Sequence, residues 1–156
     1  MPGCAGFREV MERHAVSSIA PMVDNLSPEQ RRHCMANIRS KNTKAEVTVR
    51  KVAHALGYRF RLHRENLPGK PDLVFPRFSK VIFVHGCFWH SHDCRYGRVQ
   101  PKTNTEYWIA KRSITVERDR RHRAALRALG WSSLAIWECQ LLSASRIAKR
   151  LTEFLR

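Results

Sequence analysis

At 156 residues and 43% apolar content, the chain is long enough to bury one core. Lys and Arg number 29 against 13 Asp and Glu, a net charge of +16 with a pI near 10.7; such self-repulsion makes sense with a polyanionic partner, above all nucleic acid. No stretch approaches the roughly 18 apolar residues of a membrane helix, and the first 21 residues carry Arg, Glu and His but no signal-peptide core. A membrane protein is excluded and a cytoplasmic, unsecreted one is expected.

Residues 1–21 read as a loosely attached extension, with Met22 as a second candidate start, and 22–156 as a single domain. Ser27-Pro28-Glu29-Gln30 has the form of an N-cap, a proline at the first helical position and a capping-box Gln, predicting a short helix to about Ile38. Thr43 and Glu46 repeat that pattern ahead of a helix whose Val49, Val52, Ala53 and Leu56 form an apolar stripe, ended at Gly57. Tyr58, Phe60 and Leu62 alternate with Arg59, Arg61 and His63, predicting a half-buried strand with a basic outer face. After the rigid turn Leu67-Pro68-Gly69-Lys70-Pro71, Asp72 leads into a strand at Leu73-Val74-Phe75. Beyond a turn at Pro76-Arg77, Lys80–Val84 is a continuous apolar run expected to be buried on both faces. A long functional loop is expected from His85 to Lys102, a charge-laced helix from about Thr105 to Leu129, and a strand from Trp131 to Trp137. A C-terminal helix is marked by Ile147, Leu151 and Phe154. This order predicts an α/β domain with a mixed sheet.

Two Cys and three His lie between His85 and Cys94. Five cysteines in an unexported chain point to reduced thiols or metal ligands rather than disulfides. Structural Zn²⁺ wants thiolates and imidazoles in a closed tetrahedron. Cys87, His92 and Cys94 supply three corners, and Cys139 supplies the fourth if the Trp131–Trp137 strand lies beside Lys80–Val84. The competing reading is ordinary buried thiols and surface histidines. Cys4 and Cys34 stand outside the cluster.

A zinc so filled keeps no open position, so catalysis must come from elsewhere. In a hairpin turning near Pro76, Asp72 at the start of one strand faces Val84 at the end of the next. A carboxylate beside a main-chain carbonyl suits Mg²⁺, a hard, oxygen-seeking ion. Without that context Asp72 reads as a turn carboxylate.

Several runs occur in a recognisable order: Lys41-Asn42-Thr43 with Glu46, Leu67 to Asp72, Val84-His85-Gly86-Cys87-Phe88-Trp89-His90-Ser91-His92-Asp93-Cys94, Asn104 to Trp108, and Trp137-Glu138-Cys139. Together, from about Leu26 to Leu142, they resemble the very-short-patch repair (Vsr) endonucleases. The resemblance implies a restriction-endonuclease-like fold and nicking of one DNA strand 5′ of the T in T:G mismatches left by deamination of 5-methylcytosine. Double-stranded DNA is then the substrate, and a DNA cytosine methyltransferase and repair proteins are functional partners; a monomer suffices for a single nick.

By the same resemblance Asp72 binds magnesium together with the Val84 carbonyl, and Glu46 is a helix carboxylate that organises water around the ion. His85 and His90 match catalytic histidines, and Cys87, His92, Cys94 and Cys139 match the zinc ligands. Phe88, Trp89 and Trp108 match aromatics that wedge into the base stack. Ser91 and Asp93 stand where some members carry His.

Restriction-type nucleases commonly follow their first acid with an acid-x-Lys group; here histidines occupy that region. His90 is the favoured base, since imidazole titrates near neutrality, but the sequence does not separate its role from that of His85. Glu46 reads equally as the capping-box carboxylate Thr43 demands, and both roles are compatible. Trp108 reads as a helix-packing residue as readily as a wedge; Trp131 and Trp137 read as core. Arg39, Lys41, Lys44, Arg61, Arg64 and Lys70 are expected to neutralise phosphates, and Arg118, Arg120 and Arg121 to pair with Glu117 and Asp119 on the long helix. The alternatives are a restriction-type or junction-cleaving nuclease of the same fold, or a zinc-stabilised DNA-binding module without catalysis.

Overall fold

The structure, a computed structural model, describes residues 27–36 and 41–156. The 1–21 extension, Met22, Cys4, Arg39, the end of the first helix near Ile38 and the Cys34 side chain lie outside the described residues.

Both capping boxes form. Ser27 Oγ accepts from the Gln30 N–H at 3.2 Å, and the Gln30 side chain accepts from the Ser27 N–H at 2.9 Å, opening α1 (Pro28–Ala36). Thr43 Oγ1 accepts from the Glu46 N–H at 3.2 Å, and the Glu46 carboxylate accepts from the Thr43 N–H at 3.3 Å, opening α2 (Lys44–Ala55). Gly57, at φ +84°, lets the chain turn off the helix.

Four strands follow: β1 (Arg61–Leu62), β2 (Leu73–Phe75), β3 (Lys80–His85) and β4 (Ser132–Trp137). They lie side by side in chain order, antiparallel for β1–β2 and β2–β3, parallel for β3–β4. The parallel step is bridged by the long α3 (Thr105–Ala128), and α4 (Ala144–Leu155) closes the chain. A mixed α/β architecture is therefore observed, as the alternation of patterns predicts.

β3 is buried on both faces, for the reason its unbroken apolar run suggests. Ile82, with Leu73, Phe75 and Ile136, packs under Val49 and Ala53 of α2 and Ile147, Leu151 and Leu155 of α4. Val81 and Phe83, with Val74 and Leu67, pack under Leu126 of α3, and Trp131 leans on that second cluster. Helices on both faces leave the C-terminal ends of β3 and β4 as the place where the chain emerges into loops.

The strand expected over Tyr58–His63 is shorter. Only Arg61 and Leu62 pair, with Val74 and Leu73. Tyr58 and Phe60 do turn inward, edge-on against Phe75 at 6.3 and 5.8 Å. Leu62 is 43% exposed, however, and His63 sits at φ +44°, a left-handed conformation that ends the strand.

Candidate active site and metal centre

The parallel pairing of His85 with Trp137 carries Cys139 to the loop that follows β3. There Cys87, His92, Cys94 and Cys139 converge, their ligand atoms all within 4.8 Å of one another. Zn–S bonds of about 2.3 Å place tetrahedral ligands ~3.8 Å apart, so the donor set fits with slight contraction. The Cys139 Sγ to His92 Nδ1 separation is 3.5 Å, and the N–H groups of Cys139 and Gly97 point at the sulfurs of Cys87 and Cys94, each at 3.4 Å. Burial pushes the Cys87 and Cys139 thiols up from their ordinary range. Burial acts the same way on Cys94, but hydrogen bonds from Gly97 and Tyr96 outweigh it and lower that thiol. Three thiols so enclosed ionise together only beside a cation, which is the condition a metal meets. The loop also depends on Gly97, where a Cβ would lie 1.9 Å from the His92 carbonyl oxygen. Arg112 of α3 ties the loop down, donating to Val99 O and Ser91 Oγ at 3.1 Å and to Gly97 O.

The β2–β3 hairpin brings Asp72 and Val84 together as its geometry requires. The Val84 N–H donates to Asp72 Oδ2 at 2.7 Å. Burial raises the Asp72 carboxyl to about 6; the Val84 N–H opposes the shift and the nearby Glu46 charge adds to it. A carboxylate held ionised at such cost gains from a cation that replaces its lost hydration.

Glu46 lies behind this pair, 3% exposed. Its oxygens take the N–H groups of Asn42 and Thr43, the Thr43 hydroxyl and the Arg50 guanidinium, the last at 2.6 Å. Arg50 in turn contacts Asn42 Oδ1 at 2.6 Å and His63 Nε2 at 3.0 Å. Burial lowers the His63 imidazole, with Glu46 opposing and Arg50 reinforcing the shift. The capping role of Glu46 is present in full, and its carboxylate also lies beside the site: Glu46, His63 and Asp72 each bring a ligand atom within 4.8 Å of the other two.

Across from Asp72, His85 and His90 stack face to face, centroids 3.8 Å apart and planes 5° off parallel. His90 Nδ1 makes a short hydrogen bond with Asp119 Oδ2. Burial, and then the neighbouring His90 charge, depress His85 to about 3, so it stays neutral at any working pH, and its Nδ1 is buried without a hydrogen-bond partner among the described residues. Burial alone would raise the Asp119 carboxyl, but the hydrogen bond and charge of His90 outweigh it and hold the group ionised. Asp72, Val84, His85, His90 and Asp119 all line one open cleft of about 430 Å³, whose remaining walls include Lys70, Arg118, His122 and Arg123.

The pairing expected between Arg118 and Asp119 is present at 3.8 Å, but the closer partner of Asp119 is His90, because this carboxylate lines the cleft. Trp137 is corrected. It is half-buried and stands between the two centres, stacked on His92 at 4.2 Å and edge-on to His85 at 5.2 Å. Phe88, Trp89 and Trp108 form one cluster with centroids 5.2 to 5.8 Å apart. Phe88 and Trp108 are buried in it and Trp89 is half-buried, with the Arg112 guanidinium 5.0 Å from the Phe88 ring. Residues the sequence reading missed are thus His63, Arg50, Asp119, Arg112 and Trp137.

Comparison with known proteins identifies the family. The sequence signature of the family described as DNA mismatch endonuclease Vsr matches residues 23–96. The type II nicking enzyme V.XorIIP of Xanthomonas oryzae pv. oryzae is 50% identical over 134 residues, covering 86% of this chain and 98% of that protein. The type II nicking enzyme V.NmeAIP of Neisseria meningitidis is 37% identical over 135 residues, covering 86% and 96%. The DNA mismatch endonuclease Vsr of Escherichia coli K12 is 40% identical over 126 residues, covering 78% and 80%. A cleft that joins a half-buried carboxylate to a His–Asp pair beside a Cys/His cluster, and relatives matched over 80–98% of their own length, lead to one conclusion: the chain belongs to the Vsr family of DNA endonucleases.

Proposed function

We propose that this protein nicks one strand of duplex DNA 5′ of the T in T:G mismatches left by 5-methylcytosine deamination, using Mg²⁺, and so opens very-short-patch repair. The observation that carries the reading is the cleft in which the Asp72–Val84 pair faces the His90–Asp119 pair. The names of the relatives, a mismatch endonuclease and nicking enzymes, support it.

In this reading Asp72 and the Val84 carbonyl hold Mg²⁺, whose chemistry is charge stabilisation on the phosphate and orientation of the reacting groups. His90, aligned through Nδ1 by Asp119, takes the proton of the attacking water with its other nitrogen as the water oxygen bonds to phosphorus and a bridging P–O bond breaks, the departing sugar oxygen taking a proton from solvent. His85, neutral at working pH, supports the His90 ring by stacking and offers a lone pair rather than a charge. Lys70, Arg118 and Arg123 neutralise phosphates beside the cut, and Lys41, Lys44, Arg61 and Arg64 extend the basic surface.

Cys87, His92, Cys94 and Cys139 hold a structural Zn²⁺ that fixes the loop carrying His90. The mixed sheet with helices on both faces and its acid at the hairpin suit a restriction-endonuclease-like domain spanning 22–156, with 1–21 as an extension. Phe88, Trp89 and Trp108 wedge into the base stack, led by the half-exposed Trp89. Unstacking costs a few kcal/mol per step and is least for a mismatched pair, which gives a physical basis for mismatch preference. The protein acts as a cytoplasmic, nucleoid-associated monomer alongside a DNA cytosine methyltransferase and repair proteins; no helix among the described residues is long and apolar enough to cross a membrane.

The test is Mg²⁺-dependent nicking of labelled duplexes, each with one T:G pair in a different methylation-type context. A nick 5′ of the mispaired T in one context supports the reading and names the methyltransferase site. Double-strand cuts at a recurring matched site would make it a restriction-type enzyme, cleavage of branched DNA alone a junction nuclease, and binding without cleavage a DNA-binding module.

A further inference from the structure

We infer that His63 is a positioning residue for the carboxylate of Asp72, locked by Arg50 into the tautomer that presents an N–H to it. The inference rests on the reading of Asp72 as the cation-binding carboxylate. Arg50 Nη2 lies 3.0 Å from His63 Nε2. A guanidinium has donors and no acceptor, so Nε2 must accept, and the neutral ring then carries its proton on Nδ1. That nitrogen faces Asp72 Oδ1 at 4.0 Å, on the side opposite the Val84 N–H, which occupies Oδ2. The distance is longer than a hydrogen bond, as catalytic contacts often are before ligands bind.

Two further observations show that the arrangement is built rather than incidental. His63 sits at φ +44°, a conformation costly for a side chain with a Cβ, and its ring lies between Arg50 and Asp72. Arg50 is itself fixed from three directions, by Glu46, Asn42 and His63. Glu46, His63 and Asp72 come close enough to hold a metal among themselves, but the Arg50 charge already occupies that corner, 2.6 Å from Glu46 and 3.0 Å from His63. A second cation there would meet direct repulsion. The hydrogen bonds run from Glu46 through Arg50 to His63, and the His63 ring then stands 4.0 Å from one oxygen of Asp72, placed to give the kind of support that orients a metal ligand.

The experiment is Mn²⁺ binding to zinc-loaded protein without DNA, followed by the loss of the free-ion electron paramagnetic resonance signal, for wild type, Asp72→Asn, His63→Gly and His63→Asn. Glycine relieves the left-handed backbone and removes the N–H; asparagine tolerates the same backbone and restores an N–H near the Nδ1 position. His63→Gly should weaken binding about tenfold and His63→Asn by less than about twofold, with both melting no lower than wild type. Wild-type affinity in His63→Gly while Asp72→Asn is weakened would overturn this inference alone. Wild-type affinity in Asp72→Asn would overturn the assignment of Asp72 and this inference with it. Equal losses in the Gly and Asn variants would show that the N–H is not what matters, and would overturn it as well.

Discussion

Asp72 and Val84, twelve residues apart in the chain, are joined across the β2–β3 hairpin by a 2.7 Å hydrogen bond from main-chain N–H to carboxylate. The hairpin thereby fixes a partly desolvated acid at the mouth of the cleft. Burial raises its pKa from 3.8 to about 6. A folded-state pKa above the unfolded value means that the folded protein binds the proton more tightly. The ionised group therefore destabilises the fold, progressively as pH rises from about 4 to 6 and fully above that.

Asp72→Asn keeps a carbonyl for the Val84 N–H and removes the charge. It should raise stability at pH 7.5 by up to about 3 kcal/mol, the equivalent of a two-unit shift, and much less at pH 4. Thermal melts of the metal-free cleft at the two pH values check this. Equal effects at both would mean that the Asp72 charge carries no burial cost. The same shift has a functional side, because Asp72 must lose its proton to take Mg²⁺. Half-saturating Mg²⁺ in nicking assays should rise about tenfold per pH unit below about 6.

Asp119 is hydrogen-bonded to His90 Nδ1, and in the proposed reaction that bond orients the base. Asp119→Asn should lower kcat by about 10- to 100-fold, within the range general-base catalysis contributes, while KM for DNA and melting temperature stay near wild type. Single-turnover nicking beside a binding titration separates the two. A variant impaired only in binding would place Asp119 in the DNA interface instead.

The Cys87, His92, Cys94 and Cys139 centre should carry much of the folding free energy. Structural zinc contributes about 10–16 kcal/mol to such sites, as much as the whole stability of an ordinary domain. Cys139→Ala should give insoluble or unfolded protein, and a chelator should lower the melting temperature of wild type without any substitution. Gly97→Ala, whose Cβ would meet the His92 carbonyl at 1.9 Å, should lose zinc although it removes no ligand. Measured zinc content and solubility decide; a soluble, active Cys139→Ala protein would break the assignment of four ligands.

Much of this arrangement was legible. Capping boxes at Ser27 and Thr43, the doubly buried β3 and the convergence of Cys139 on the loop all follow from local chemistry and from one inference, that β4 lies beside β3. What stayed hidden has a common cause. On α3 the residues turned away from solvent are Thr105, Trp108, Arg112, Thr115, Asp119, His122 and Leu126, spaced alternately three and four apart. That is the period of a packed helix face, but five of the seven are polar, so hydropathy conceals it. Anchoring the period on Trp108 and Leu126 would have turned Asp119 and Arg112 inward. Trp137 was misplaced because a strand-end aromatic looks like core until the histidines it stacks on are located. His63 broke its strand through a positive φ that no alternation of residue types foretells.

The most direct measurement is strand-resolved nicking of two duplexes identical but for one base, T:G in the first and T:A in the second, with Mg²⁺, for wild type and Asp72→Asn. The expected result is one nick, 5′ of the mispaired T, in the T:G duplex alone, abolished by chelation of Mg²⁺ and by Asp72→Asn. Equal cleavage of both duplexes, or unchanged nicking by Asp72→Asn, would contradict the proposed activity and its site.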